Sequence, residues 1–218
     1  MPPIDIDRFM KILETSRELR EAPVITLMSR LGATPYEVLV ATLLSLRTKD
    51  EVTHDAARRL FSHAKTPETM QGLTAGAIEK LIYPVGFYKT KAKNILAISR
   101  ILMDQYQSIV PDEIDELLKL PGVGRKTANL VLVEGYGKAA VCVDTHVHRI
   151  SNRIGYVTTK TPDETEFALR KKLPKKYWIT YNEYLVAYGQ TICRPVSPFC
   201  STCKAADMCP RHGVTRHR

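Results

Sequence analysis

The chain has 218 residues, 25% charged and 44% hydrophobic, enough to bury one or two cores. Its longest apolar runs, such as Val38 to Leu46 and Leu130 to Val133, are too short to cross a bilayer, which excludes a helical membrane span. Lys and Arg outnumber Asp and Glu by 32 to 23, and the net charge of +9 suits a polyanion such as DNA or RNA as partner, or else a basic surface from a heat-adapted source.

Taken in chain order, the elements read as helices with no convincing period-two run, so the expected class is all-α. Asp5 to Arg20 carries apolar residues at helical spacing. Thr34-Pro35 begins the next helix, a capping side chain followed by a proline pre-set for the first turn. Asp50 or Thr53 is expected to cap a helix through Phe61, and Thr66-Pro67-Glu68 and Thr74 to open two short ones. Tyr88 to Gln107 reads as a long, lysine-rich helix with Ile95, Leu96, Ile98, Ile101 and Leu102 on its inner face. Pro111-Asp112 starts a short helix ending at Leu117-Leu118, and further helices are expected over 144–154, 161–173 and 179–192. Gly135 to Ala140 reads as a break where the chain crosses between lobes, and the basic tail after Cys209 as loosely ordered.

Two stretches carry chemistry. In Leu118 to Asn129 a short helix is stopped by Pro121, Gly122-Val123-Gly124 permits a tight turn, and a second helix begins near Arg125. Backbone N–H groups then face outward beside a helix N-terminus, an arrangement that receives phosphate oxygens, and Arg125 adds a charge. The plainer alternative is a packing turn. Near the C-terminus, Cys193-x6-Cys200-x2-Cys203-x5-Cys209 gathers four thiols within one loop, a set that suits either tetrahedral Zn²⁺ or a cubane iron–sulfur cluster. Disulfides are the alternative, but no apolar leader precedes the charged N-terminal stretch, and a cytosolic protein is expected to keep its thiols reduced.

LPGVGRKTAN resembles the helix-hairpin-helix of the endonuclease III family of DNA glycosylases. Val143 to Arg149 is similar to that family's V-D-T-H stretch, and the x6, x2, x5 cysteine spacing to its [4Fe–4S] loop. LLSLRTKD at Leu43 to Asp50 and GFYKTKAKNI at Gly86 to Ile95 fall in the same order. The resemblance covers about Thr34 to Cys209. It implies two helical lobes with a DNA groove between them: a six-helix lobe with the hairpin, residues 28–138, and a cluster lobe, residues 1–27 plus 139–218. It also implies a cytoplasmic, nucleoid-associated monomer acting on duplex DNA with damaged pyrimidines or abasic sites, and a [4Fe–4S] cluster on Cys193, Cys200, Cys203 and Cys209.

The residues support that chemistry on their own terms. Breaking an N-glycosidic bond and then the strand needs an amine that adds to C1′ and a carboxylate that steadies positive charge there. Lys126 is the candidate amine, favoured in its neutral form by the helix N-terminus and Arg125, and Asp144 the candidate carboxylate. Taken singly, Lys126 is one more phosphate-facing cation and Asp144 a helix cap. Related mismatch-specific thymine and adenine glycosylases often carry Tyr or Ser at the position of Lys126, so lysine points to combined glycosylase and lyase activity. By resemblance Phe87 lies in the loop that wedges into DNA, with a core phenylalanine as the alternative. Arg47 stands where the family usually has a void-filling Gln, which leaves the opposite-base preference open. Arg194 is a candidate phosphate ligand, and Cys142 a buried apolar thiol. The other classes are a non-enzymatic backbone-holding module and a zinc-containing DNA-binding regulator.

Overall fold

The computed structural model describes residues 4–17 and 22–218, and among them every regular element is helical. None of these helices is long and apolar enough to cross a membrane. The chain divides into two compact units, Val24–Lys138 and Met1–Pro23 with Ala139–Arg218. The first unit holds α2 (Val24–Arg30), α3 (Pro35–Ser45), α4 (Asp50–Phe61), α5 (Pro67–Gln71), α6 (Ala75–Ile82), α7 (Tyr88–Tyr106), α8 (Ile114–Leu117) and α9 (Arg125–Tyr136).

Helix α3 is the centre of this unit. Thr34 Oγ1 accepts from Glu37 N at 3.2 Å while the Glu37 carboxylate accepts from Thr34 N at 2.9 Å, and Pro35 fills the first turn. Val38, Leu39, Val40, Ala41, Leu43 and Leu44 are all buried. A helix apolar on every side needs neighbours on every side, and α2, α4, α7 and α9 supply them. Each large aliphatic side chain so buried contributes roughly 1.5–3 kcal/mol.

Several boundaries differ from the sequence patterning, each for a local reason. Helix α9 continues through Gly135, because a Cβ there would stand only 3.3 Å from Pro35 Cα: the glycine is used for close approach to α3, and the left-handed cap falls on Gly137. The cap of α4 is Lys49, without a side-chain bond, rather than Asp50 or Thr53. Asp50 lies inside the first turn, where its charge suits the helix dipole, and Thr53 is buried with its hydroxyl donating back to Lys49 O. Helix α8 starts after Glu113, later than Pro111-Asp112. Helix α2, seven residues long, has no counterpart in the patterning.

The second unit holds α1 (Ile6–Arg17), α10 (Thr145–Arg153), α11 (Pro162–Lys172), a 3₁₀ turn (Lys175–Tyr177) and α12 (Thr180–Thr191). The end of the first expected helix, residues 18–20, lies outside the described residues. Phe9, Leu13, Val147, Ile150, Leu169, Tyr181 and Leu185 form its core. The tail after Cys209 is held rather than loose. His212 N donates to Arg153 O at 3.0 Å, Arg218 N to Pro198 O at 2.8 Å and Ser201 N to Arg218 O at 2.8 Å. The Arg218 guanidinium lies 4.4 Å from the Phe199 ring centre, so basic residues that look solvated in sequence clasp the cysteine loop.

Candidate functional site

In the first unit, the turn joining α8 to α9 has the form expected of the glycine hairpin. Gly122 has φ +78° and is exposed, Val123 is buried with its N–H donating to Leu120 O at 3.1 Å, and Gly124 is exposed as the N-cap of α9. Val123 therefore spends its amide inside the turn and anchors it by its side chain. Gly124 offers no side-chain cap and nothing lies within 4 Å of where its Cβ would be, so the helix N-terminus is open to approach. Arg125 and Lys126, both partly exposed, occupy the first turn of α9 just beyond it.

A second feature of this unit pairs Arg47 with Phe87. Both have left-handed backbones, φ +53° and +58°, and the Arg47 guanidinium lies 5.5 Å from the centre of the Phe87 ring. Phe87 is 63% exposed, which rules out a core role. Two loops thus present one cation and one aromatic ring side by side.

In the second unit, Asp144 is the N-cap of α10: its Oδ1 accepts from His146 N and Val147 N, each at 2.8 Å. The capping role is real, and the residue stays partly exposed. From the same helix Arg149 donates to Cys193 O at 2.9 Å, and Arg153 to Arg194 O at 2.6 Å and Pro195 O at 2.7 Å. Sequence patterning assigns no role to these arginines. Their i,i+4 spacing on one face of α10 is the signal that could have found them. Arg194 is exposed, its guanidinium 5.1 Å from the Phe199 ring centre. Cys142 is buried, as expected of an apolar thiol.

Cys193, Cys200, Cys203 and Cys209 line one recess together with Phe9, Tyr188 and Ile192. Tyr188 Oη lies 2.8 Å from Cys203 Sγ, and Arg153 donates towards Cys193 Sγ at 3.6 Å. Burial pushes the Cys200 and Cys209 thiols up, and the neighbouring cysteines push the same way. Among the described residues, no three His, Cys, Asp or Glu side chains group as a single-ion site would require. The donor set is sulfur alone, ringing one recess.

Residues 40–175 match the family model described as HhH-GPD superfamily base excision DNA repair protein. Over 175 residues the chain is 49% identical to Endonuclease III of Thermotoga maritima, covering 80% of this chain and 82% of that one. It is 42% identical over 223 residues to Endonuclease III homolog 2, chloroplastic, of Arabidopsis thaliana, covering 94% of this chain and 58% of that longer protein. Its fold superposes on a solved structure of a trapped endonuclease III–DNA covalent intermediate with a TM-score of 0.80, at 31% identity, covering 95% of this chain and 97% of that one. With the open glycine turn, the lysine beyond it and the four-cysteine loop in place, the chain belongs to the endonuclease III family of the HhH-GPD superfamily.

Proposed function

We infer that the protein is a bifunctional DNA glycosylase and abasic-site lyase of base excision repair, acting on oxidised pyrimidines in duplex DNA. The observation that carries this reading is Lys126 in the first turn of α9, directly past an exposed, uncapped glycine turn. The turn receives the DNA backbone through Gly122, Gly124 and Arg125, and the amine is delivered to the sugar beside it.

The neutral Lys126 amine bonds to C1′, and the C1′–N bond breaks with its electron pair leaving on the base, which takes up a proton. The new C1′ ammonium gives up a proton, the C1′–O4′ bond breaks with O4′ taking one up, and the resulting iminium acidifies the C2′ proton. Removal of that proton forms the C1′–C2′ enamine; its nitrogen then re-forms the iminium as the C1′–C2′ π pair moves to make the C2′–C3′ double bond, and the C3′–O bond breaks with its electrons leaving on the 3′ phosphate. Water then hydrolyses the iminium and frees the lysine. Asp144 is assigned the carboxylate role, balancing positive charge and assisting proton transfers. Arg47 and Phe87 are assigned to the space left by the rotated nucleotide, where a ring and a guanidinium can stack and donate to the unpaired base.

The cysteine loop fits a [4Fe–4S] cluster. In a cubane each thiolate binds its own iron, so four sulfurs need to ring one recess rather than meet at a point, and a cationic metal core offsets the mutual repulsion of four thiolates. When bound, such a cluster cross-links the loop and its contacts to α10; none of the bond changes above uses an electron from it. Arg194, on the outer side of that loop, is assigned to phosphate.

The test is borohydride trapping on duplexes bearing thymine glycol, uracil, an abasic site or no lesion. The parent should be trapped on the first and third and a Lys126→Ala variant on none; equal trapping by the variant would remove Lys126 from the role.

A further inference from the structure

Lys91 on α7 is 7% exposed, unusual burial for a lysine. Its Nζ donates to Leu44 O at 2.8 Å, Leu46 O at 2.6 Å and Thr48 Oγ1 at 3.3 Å, so three ammonium protons meet three oxygens. The Thr48 hydroxyl donates in turn to Leu46 O at 3.2 Å and accepts from Gly86 N at 3.2 Å. One cation thus grips the chain as it leaves α3, and through one hydroxyl the grip extends to the chain entering α7.

Those two segments carry Arg47 and Phe87. Left-handed backbone is disfavoured for residues with a Cβ and persists where the surroundings hold it. Here the segments touch backbone to backbone, since a Cβ on Gly86 would fall 2.8 Å from Arg47 O. Burial lowers the Lys91 pKa to about 8, so the charge is retained against desolvation. A neutral side chain of similar length would fill the space without that cost, but would leave the Leu44 and Leu46 carbonyls without their donor.

We propose that Lys91 is a positioning residue for base release: by tying Leu44, Leu46 and Thr48 together it sets Arg47 and Phe87 as one rigid wedge for insertion into the duplex. The inference rests on the assignment of Arg47 and Phe87 to the vacated space. It separates the wedge from the bond-making lysine, because a wedge matters most when a stacked base must be displaced and least when the base is already gone.

The experiment is a double-mutant cycle on the full chain, with three readouts: fluorescence of 2-aminopurine beside the lesion, single-turnover base release, and cleavage of DNA holding a preformed abasic site. Lys91→Met should slow base release roughly tenfold and reduce the fluorescence change, while abasic-site cleavage stays within about threefold of the parent. In an Arg47→Ala, Phe87→Ala background, Lys91→Met should change base release by less than about twofold. Losses of equal size in both backgrounds, or parallel losses of base release and abasic-site cleavage, overturn the proposal. If Lys91→Met does not fold, Thr48→Val carries the same comparison, since it removes the hydroxyl bridge and keeps the shape. Parent-like base release by the Arg47→Ala, Phe87→Ala chain overturns the wedge and the Lys91 role together while leaving the enzyme assignment standing. A parent that releases no base and is not trapped by borohydride overturns the enzyme assignment itself, and this inference with it.

Discussion

A Cβ on Gly122 would fall 2.4 Å from Nδ2 of Asn94, so the hairpin turn meets α7 at a point where a side chain would have to displace the Asn94 amide. With φ at +78° as well, Gly122→Ala should lower stability by about 1–3 kcal/mol. Gly124 is the contrasting case, with φ −98° and open space around its Cβ position. Gly124→Ala should melt within roughly 1 kcal/mol of the parent yet bind duplex DNA more weakly, because the methyl would stand in the path proposed for phosphate. Thermal melts paired with fluorescence anisotropy separate the two effects. Parent-like DNA affinity in Gly124→Ala would take the phosphate role away from the turn.

Asp144 combines a cap with a charge, and two substitutions divide them. Asparagine can still accept from His146 N and Val147 N, so Asp144→Asn should keep stability within about 0.5 kcal/mol, whereas Asp144→Ala should cost about 0.5–2 kcal/mol. Both should slow base release by about 10²-fold or more if the carboxylate acts on the chemistry. A fully active Asp144→Asn chain would leave Asp144 a cap only.

The buried Lys91 makes stability depend on pH in a defined direction. Its ordinary pKa is 10.5 and its folded value about 8, so between those values the unfolded chain binds more protons and stability rises with pH. The slope from this group is at most about 1.4 kcal/mol per pH unit, and it vanishes below about pH 7, where both states are protonated. Subtracting the denaturation profile of Lys91→Met from that of the parent isolates the effect. A difference that stays flat from pH 8 to 10 would count against the burial described for Lys91.

The cysteine loop predicts its own chemistry. Anaerobically purified protein should be brown and hold about four irons and four sulfides per chain, and Cys203→Ser should lose most of both. Limited proteolysis should then cut within residues 193–218 while sparing residues 24–138. A colourless, zinc-loaded parent would replace the cluster with a single-ion site.

Arg47→Gln restores the residue more usual at this position of the family. The ratio of base release opposite guanine to release opposite adenine should fall, since the guanidinium is suited to donate to guanine O6 and N7. An unchanged ratio would remove Arg47 from opposite-base recognition.

Much of the site is legible in sequence because its logic is local. The cysteine spacing needs only one loop, and the glycine turn only a dozen residues. Thr34, Thr66, Thr74 and Thr161 all act as the caps that their position before each helix suggests. What the sequence withholds is whatever depends on burial across distance. Lys91 is one of three lysines in a six-residue stretch, Lys89 to Asn94, and only folding distinguishes it, by placing it under the end of α3. Asp50 and Thr53 both look like caps, and the register of α4 decides against each. Gly135 looks like a helix breaker until Pro35 is packed against it.

Arg218 is stitched to both sides of Phe199, through Pro198 and Ser201. Loss of Arg218, or a pull on its backbone, would unfasten the wall of the sulfur-lined recess without touching a single sulfur. Pale preparations of otherwise intact material should therefore first be checked by mass spectrometry for cleavage between Cys209 and Arg218.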